Sequence, residues 1–327
     1  MVRRTQIEQD SPTNRLRGIA WMGAACLLWT VVEVLGRVVP RGYSAYQTVW
    51  MRYATHLLVM AIGLGPRYGL GLVRTRRPVL QACRSLLMLG MPVFFIAAAA
   101  RMPRTEVWSV FWMSPLVVAG MSRWCLGERL RLRHWVVPIG GLGGVLLILG
   151  GGADALRGAA VLPLGMALCF SAYQVMTRAM RDEPTVVNLF HTALFVLIPL
   201  TLALPRFWRP LTPRAAATMA AIGLIGLLGL FALDRALHLA PASVVGPLAH
   251  VQAVFGLVAD WAVFGHAAGG AQILGSAVVL ASGLYVSLRE WRATEPARVC
   301  ARRGKPGWAR GSVGHVGLLG RGGDNRS

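Results

Sequence analysis

A few ionisable side chains interrupt otherwise apolar stretches: Glu33 with Arg37, Arg52, Arg84, Asp234 with His238, and Asp260. Placing such a group inside a membrane costs ~2.5–3.5 kcal/mol on insertion scales, so each is expected to face protein or a water-filled cavity. Glu33 and Arg37 are four residues apart, on one helical face with Trp29. They can pair along the helix or present both signs of charge to a cavity, and Arg37 is also long enough to snorkel. Arg52 lies about eight residues into its apolar segment, too deep to snorkel. It suits a substrate carboxylate, or a lock to Glu33. Arg84 is nearer its helix start and is expected to reach the headgroups. Asp234 and His238, again four apart, have the makings of a proton relay. The plainer reading solvates Asp234, like Asp260, near a helix end.

Catalytic and cofactor signatures do not appear. The chain has no H-E-x-x-H, no G-x-S-x-G, no phosphate-cradling G-x-x-x-x-G-K-[ST] and no paired His/Cys spacing. The expectation is therefore no enzyme, no cofactor and no metal. Five cysteines are scattered without a C-x-x-C pair and read as small packing residues. Gly140 with Gly144, and Gly223, Gly226 and Gly229, form small helix faces suited to close packing.

The elements that position these residues follow from composition. Only 14% of residues are charged and 55% are hydrophobic, whereas soluble domains carry about 25% charged residues. Runs free of Asp, Glu, Lys and Arg cover Val136 to Ala153, Gly158 to Thr177, Pro184 to Pro205, Ala215 to Leu233 and Trp261 to Leu288. Lipid cannot satisfy free backbone amides, and these runs lack the alternation of barrel strands, so the expected fold is all-α, a polytopic membrane protein. Ten spans are expected near 18–38, 44–65, 79–100, 104–125, 134–151, 158–179, 185–205, 214–234, 241–264 and 268–288. Net charge is +21, almost all from arginine in short connections and in the tail from Arg289 to Ser327. Nucleic acid is not an expected partner, since the arginines fall where the positive-inside rule puts them. Fourteen connecting-segment arginines against eight place both termini in the cytoplasm.

Superposing residues 138 apart brings Pro103 onto Pro241, Val107 onto Val245 and Gly127 onto Gly265. A repeat of five helices is odd, so the second copy enters from the opposite side. Inverted repeats of this kind recur in secondary carriers, whose binding site lies near the midplane.

The segment SPLVVAGMSRWCLGERLRLRHWVVPIGGLGGVLLIL, from Ser114 to Leu149, resembles the fourth helix, L-G-E loop and Gly-rich fifth helix of EamA-type carriers. VWMRYA around Arg52 supports this likeness to the drug/metabolite transporter superfamily. TRRPVLQACRSLLML, from Thr75 to Leu89, is similar to the branch holding S-adenosylmethionine uptake carriers. The second copy departs from the pattern, reading Phe264, Gly265, His266 where the family often keeps a Glu. The resemblance covers residues 16–290 and implies five-helix repeats at 18–151 and 158–288; charge and composition add a cytoplasmic arm at 1–17 and a basic, disordered cytoplasmic tail at 289–327, which matches no part of the family. It also implies a secondary active transporter in the cell (inner) membrane, working by alternating access. The substrate would be a small molecule such as an amino acid, a nucleoside-like compound or another metabolite, and the other partners would be membrane lipids. A homodimer is compatible with this reading, and the competing function is a non-transporting scaffold or sensor with the same fold. Substrate-binding positions are expected at Trp29, Glu33, Arg52, Trp112, Tyr173, Gln174 and His250, and coupling or gating at Arg37, Asp234 and His238. Trp108 and Trp112 share a helical face with Pro115 and form either an aromatic wall or part of an interfacial belt. His250 and Gln252 cannot both point inward, because two residues span about 200° of helix.

Overall fold

The computed structural model describes residues 11–128, 135–149 and 160–302; the arm at 1–10, the segments 129–134 and 150–159 and the tail from 303 onward lie outside them. Among the described residues there are helices and turns and no strand. Helix α1 (Pro12–Val38) starts earlier than the expected span, because Ser11 caps it, accepting the Asn14 N–H at 3.2 Å, and Pro12 occupies the first turn. Helix α2 (Ala45–Tyr68) is capped likewise by Ser44 and stops at Gly69, whose φ of 48° favours glycine. Helix α3 (Pro78–Ala99) opens on a proline, whose missing N–H would have had no partner.

The expected span 104–125 is not one helix. It is α4 (Arg104–Phe111) and α5 (Ser114–Leu126), with Trp112 and Met113 in the break. Pro115 explains this: it has no N–H to continue the ladder and fits only the first turn of a new helix. Trp112 therefore lies between helices and not on the single face shared with Trp108 and Pro115 that a continuous helix requires. Helices α6 (Val136–Leu149), α7 (Val161–Ala179), α8 (Thr185–Ala203) and α9 (Pro213–Leu239) follow. The expected span 241–264 is also divided, into α10 (Ala242–Val245), a 3₁₀ turn (Gly246–His250) containing Pro247, and α11 (Val251–Phe264). Helix α12 runs from Gly270 to Arg302, beyond the expected end at 288, where Arg289, Glu290, Trp291 and Arg292 are all compatible with a helix.

Among the described residues, six stretches are long and apolar enough to cross a membrane: Thr13–Val38, Pro78–Ala99, Thr185–Arg206, Pro213–Leu239, Ala242–Phe264 and Gly270–Arg289. Large apolar side chains such as Leu58, Ile62, Val161 and Leu202 are exposed on the outside, as a lipid-facing surface requires. The protein is thus a multi-pass membrane protein.

Inside, α1 packs along α9, α3 along α7 and α6 along α12. Small residues permit each approach. A Cβ on Gly144 would sit 2.7 Å from the Gly275 carbonyl oxygen, and one on Gly140 would sit 2.9 Å from Ser282 Oγ, so α6 and α12 meet nearly backbone to backbone. On α9 the glycine stripe receives Thr55 at Gly223, Arg52 at Gly226 and Trp29 at Gly229.

Candidate functional site

The stripe on α9 brings together residues from three helices. Arg52 of α2 lies so close to Gly226 that a Cβ there would be 2.7 Å from Nε, and Trp29 of α1 bears the same relation to Gly229, at 2.8 Å. Trp29 meets Phe170 of α7 edge-on, ring centroids 5.8 Å apart. Phe170 in turn touches Phe111, which joins Trp108 and Trp112, so an aromatic wall crosses from α1 through α7 to the broken segment α4–α5. Trp108 faces protein, packed between Phe95 and Phe111.

Two polar groups beside this wall have unused hydrogen-bonding capacity. Gln174, one turn along α7 from Phe170, is 1% exposed and its Oε1 has no partner among the described residues. Arg52 Nε is buried and equally without a partner, and the guanidinium makes no ion pair with Glu33. The expected lock is replaced by another: Glu33 pairs with Arg37 at 3.3 Å, and Arg37 also bonds Asp260 of α11. Asp260 is therefore not simply solvated. Arg37 lies over the Phe264 ring at 5.4 Å, so this charged cluster ties the end of α1 to the end of α11.

Arg84 overturns its expectation. It is 0% exposed and reaches no headgroup. Its guanidinium donates to Gln81 Oε1 at 3.1 Å, Thr177 Oγ1 at 3.0 Å, the Asn188 carbonyl at 2.5 Å and Thr192 Oγ1 at 2.9 Å, and stands 3.9 Å from Asp234 Oδ1. The Tyr173 ring lies 5.0 Å from the guanidinium carbon. Asn188 donates to Asp234 Oδ1 at 3.0 Å, and Gln81 donates to Asn188 Oδ1 at 2.7 Å, which completes a network over α3, α7, α8 and α9. Asp234 is 1% exposed, so its proximity to the helix end does not hydrate it. His238 Nδ1 is 3.1 Å from Asp234 Oδ2 and 2.8 Å from the Asp234 carbonyl, while Nε2 faces the Glu183 carbonyl at 3.0 Å. The predicted Asp234–His238 pairing is present, with Arg84 as a member that sequence reasoning missed.

His250 and Trp112 serve each other. His250 is 1% exposed; Nε2 lies 3.0 Å from the Trp112 carbonyl and Nδ1 3.0 Å from the Pro247 carbonyl. Each ring nitrogen thus faces a backbone carbonyl at the helix breaks, and an imidazole with a single N–H donates to one of the two. Gln252 belongs to α11, past the turn.

One further contact joins the halves. Glu128, just after α5, accepts the Ala242 N–H at 3.0 Å and the Ser243 N–H at 2.9 Å, and also bonds the Ser243 hydroxyl. Arg178 of α7 stands 4.0 Å from the same carboxylate and donates to the Leu237 and His238 carbonyls. Away from all of this, an open groove of about 550 Å³ is lined by Trp50, Thr201, Leu204, Pro205 and Trp208. It lies where α2 begins and α8 ends, a place that suits interfacial tryptophans. No cluster of His, Cys, Asp and Glu among the described residues could hold a metal ion.

Apolar helices on the outside and a buried network of polar and aromatic side chains within define a multi-pass membrane protein. The chain belongs to the EamA-like transporter family, which matches residues 16–150 and 157–288. It is 26% identical over 291 residues to a riboflavin transporter of Vibrio cholerae serotype O1, covering 86% of this chain and 96% of that protein. It is 25% identical over 286 residues to a riboflavin transporter of Rhizobium johnstonii, covering 86% and 94%. A solved protein crystal structure shares the fold at a TM-score of 0.73 and 20% identity, over 84% of this chain and 98% of that one.

Proposed function

We propose that this protein is a secondary active transporter that moves a planar aromatic metabolite, riboflavin or a close relative, across the inner membrane by alternating access. Its two five-helix repeats, 18–151 and 158–288, enter the membrane with opposite orientation, and both termini are cytoplasmic. The observation that carries this reading is the Trp112–His250 contact at 3.0 Å. These residues are 138 apart, the repeat offset, and each sits where its own span is broken. The flanking positions support it: Pro103 (φ −56°, ψ 140°) and Pro241 (φ −55°, ψ 142°) start the broken spans, and Gly127 and Gly265 end them in the left-handed conformation. The packing of α1 on α9 and of α3 on α7 is the pairing that such a relation exchanges.

The substrate site in this account is formed by the side chains of Trp29, Arg52, Phe170 and Gln174. An isoalloxazine ring offers a flat face for the aromatic wall and an edge of alternating carbonyl and N–H groups. The free amide oxygen of Gln174 suits the N–H, and the guanidinium of Arg52 suits the carbonyls. Tyr173 positions Arg84 and stands behind this site, while Trp112 and His250 hold the crossing point. Glu33 and Arg37 close one end by bonding α1 to α11. Asp234 and His238 are the coupling pair.

Binding is read directly from flavin fluorescence. Riboflavin titrated with purified protein in nanodiscs should be quenched saturably, and Trp29→Ala and Gln174→Ala should each weaken the affinity by about tenfold, the size of one lost stacking or hydrogen-bonding contact. Linear, non-saturating quenching by the wild-type protein removes the flavin from this reading, and amino acids and nucleosides then take its place in competition assays.

A further inference from the structure

The environment of Arg84 differs from that of an ordinary ion pair. Its guanidinium is enclosed by an amide oxygen, two hydroxyl oxygens, a backbone carbonyl and one carboxylate, supplied by α3, α7, α8 and α9. Carriers use an oxygen-rich shell of this kind, in which backbone carbonyls take part, to hold a coupling cation near the middle of the bilayer. Here the shell is filled from within the chain. Arg84 is 0% exposed and Asp234 1%, so their charges compensate each other away from water. Among the described residues His238 is the other titratable group in contact with Asp234, while Arg178 is directed at Glu128 and at the Leu237 and His238 carbonyls.

We propose that Arg84 is a tethered cation: its guanidinium occupies a monovalent-cation site built around Asp234, so the protein needs no external Na⁺ at that position. Removing the side chain leaves a buried carboxylate without compensation, the costly state for a low-dielectric interior. A small cation entering the gap restores neutrality, guanidinium best because its N–H groups match the existing oxygen acceptors, and Na⁺ next. Only the consequence for coupling rests on the carrier reading above; the cation site itself does not.

The test is thermal unfolding of purified protein in nanodiscs, with choline replacing the test cation at constant ionic strength. Millimolar guanidinium or Na⁺ should raise the Tm of Arg84→Ala saturably, by about 3 °C once the cation reaches about ten times its dissociation constant. The wild type, Arg84→Lys and the neutral double variant Arg84→Met/Asp234→Asn should not respond. A response of the double variant equal to that of Arg84→Ala, or no response of Arg84→Ala to either cation, overturns the proposal. If Arg84→Ala is too unstable to purify, recovery decides: monodisperse protein obtained with guanidinium and not without it supports the tethered cation, and equal recovery overturns it. Flux of the wild type should be unchanged when choline replaces Na⁺, and a Na⁺ requirement overturns the coupling consequence. Absence of flux alongside the expected Tm response would instead sink the carrier reading and leave the cation site standing.

Discussion

Glu128 grips the start of the broken segment α10 from the far end of α5, and its removal has a calculable effect. Pro241 offers α10 no side-chain cap, so the Ala242 and Ser243 N–H groups depend on the Glu128 carboxylate, 3.0 and 2.9 Å away. The carboxylate is 14% exposed and the Arg178 Nε at 4.0 Å adds little direct bonding. Leaving two partly buried N–H groups unsatisfied costs ~1–1.5 kcal/mol each at the low end appropriate to some water entry. The sum for Glu128→Ala is ~2–3 kcal/mol, which is ~30–150-fold in a two-state equilibrium. If this contact holds one face of the interior closed, that factor is the gain in the open population. Cys26 is a native reporter, 0% exposed, with Sγ 3.9 Å from the Leu248 and Ala249 carbonyls of the adjoining 3₁₀ turn. With Cys83, Cys125, Cys169 and Cys300 replaced by Ala, a small water-soluble methanethiosulfonate should label Cys26 at least ~30-fold faster in Glu128→Ala. Glu128→Gln keeps one acceptor and should fall between. An unchanged labelling rate in the Ala variant, in protein that still unfolds cooperatively, would show that this contact does not control access.

Arg52→Lys should retain part of the uptake and Arg52→Ala should abolish it; full uptake by the Ala variant, measured in cells lacking their own carrier, removes Arg52 from the site. Reporter fusions after Trp135 and after Ile273, equivalent positions in the two repeats, should report opposite sides of the membrane, and the same side for both contradicts the inverted repeat. Gly144→Leu places side-chain atoms where the Gly275 carbonyl and Val279 lie, at 2.7 Å from a Cβ. Overpacking of this kind costs ~1–3 kcal/mol and should lower the Tm, whereas a neutral result would mean that α6 and α12 separate freely.

The helical, membrane-spanning character was legible because it rests on composition and on the spacing of apolar runs, which are local properties. The proposed repeat rests on a related signal: Pro103 with Pro241, and Gly127 with Gly265, mark backbone positions where few residue types serve. Where spans break was less so. In the sequence Pro115 shares a helical face with Trp108 and Trp112, yet a proline near a span's start is compatible with a continuous helix, and only the contact between His250 and Trp112 shows where the freed backbone finds partners. Arg84 was misread because its distance from the helix start argued for snorkelling, while its partners Thr177, Asn188 and Thr192 lie about a hundred residues away. Asp260 is 31% exposed near the end of α11, in line with its place in the sequence, but its partner Arg37 meets it across the fold. The free Gln174 oxygen had no sequence signal beyond its residue type, and the L-G-E motif marked Glu128 without showing that its partners lie at the start of α10. The Glu33–Arg37 and Asp234–His238 pairs did, because a spacing of four on a helix brings side chains together without help from tertiary structure.

The central claim is that a solute crosses between two oppositely oriented halves past Trp29, Arg52, Phe170 and Gln174. Uptake of labelled riboflavin into proteoliposomes, with and without unlabelled riboflavin preloaded inside, tests it most directly. The account predicts saturable uptake that preloading accelerates and that Gln174→Ala impairs. Uptake no faster than in protein-free vesicles, for riboflavin and for a panel of amino acids, nucleosides and other small metabolites alike, would contradict it.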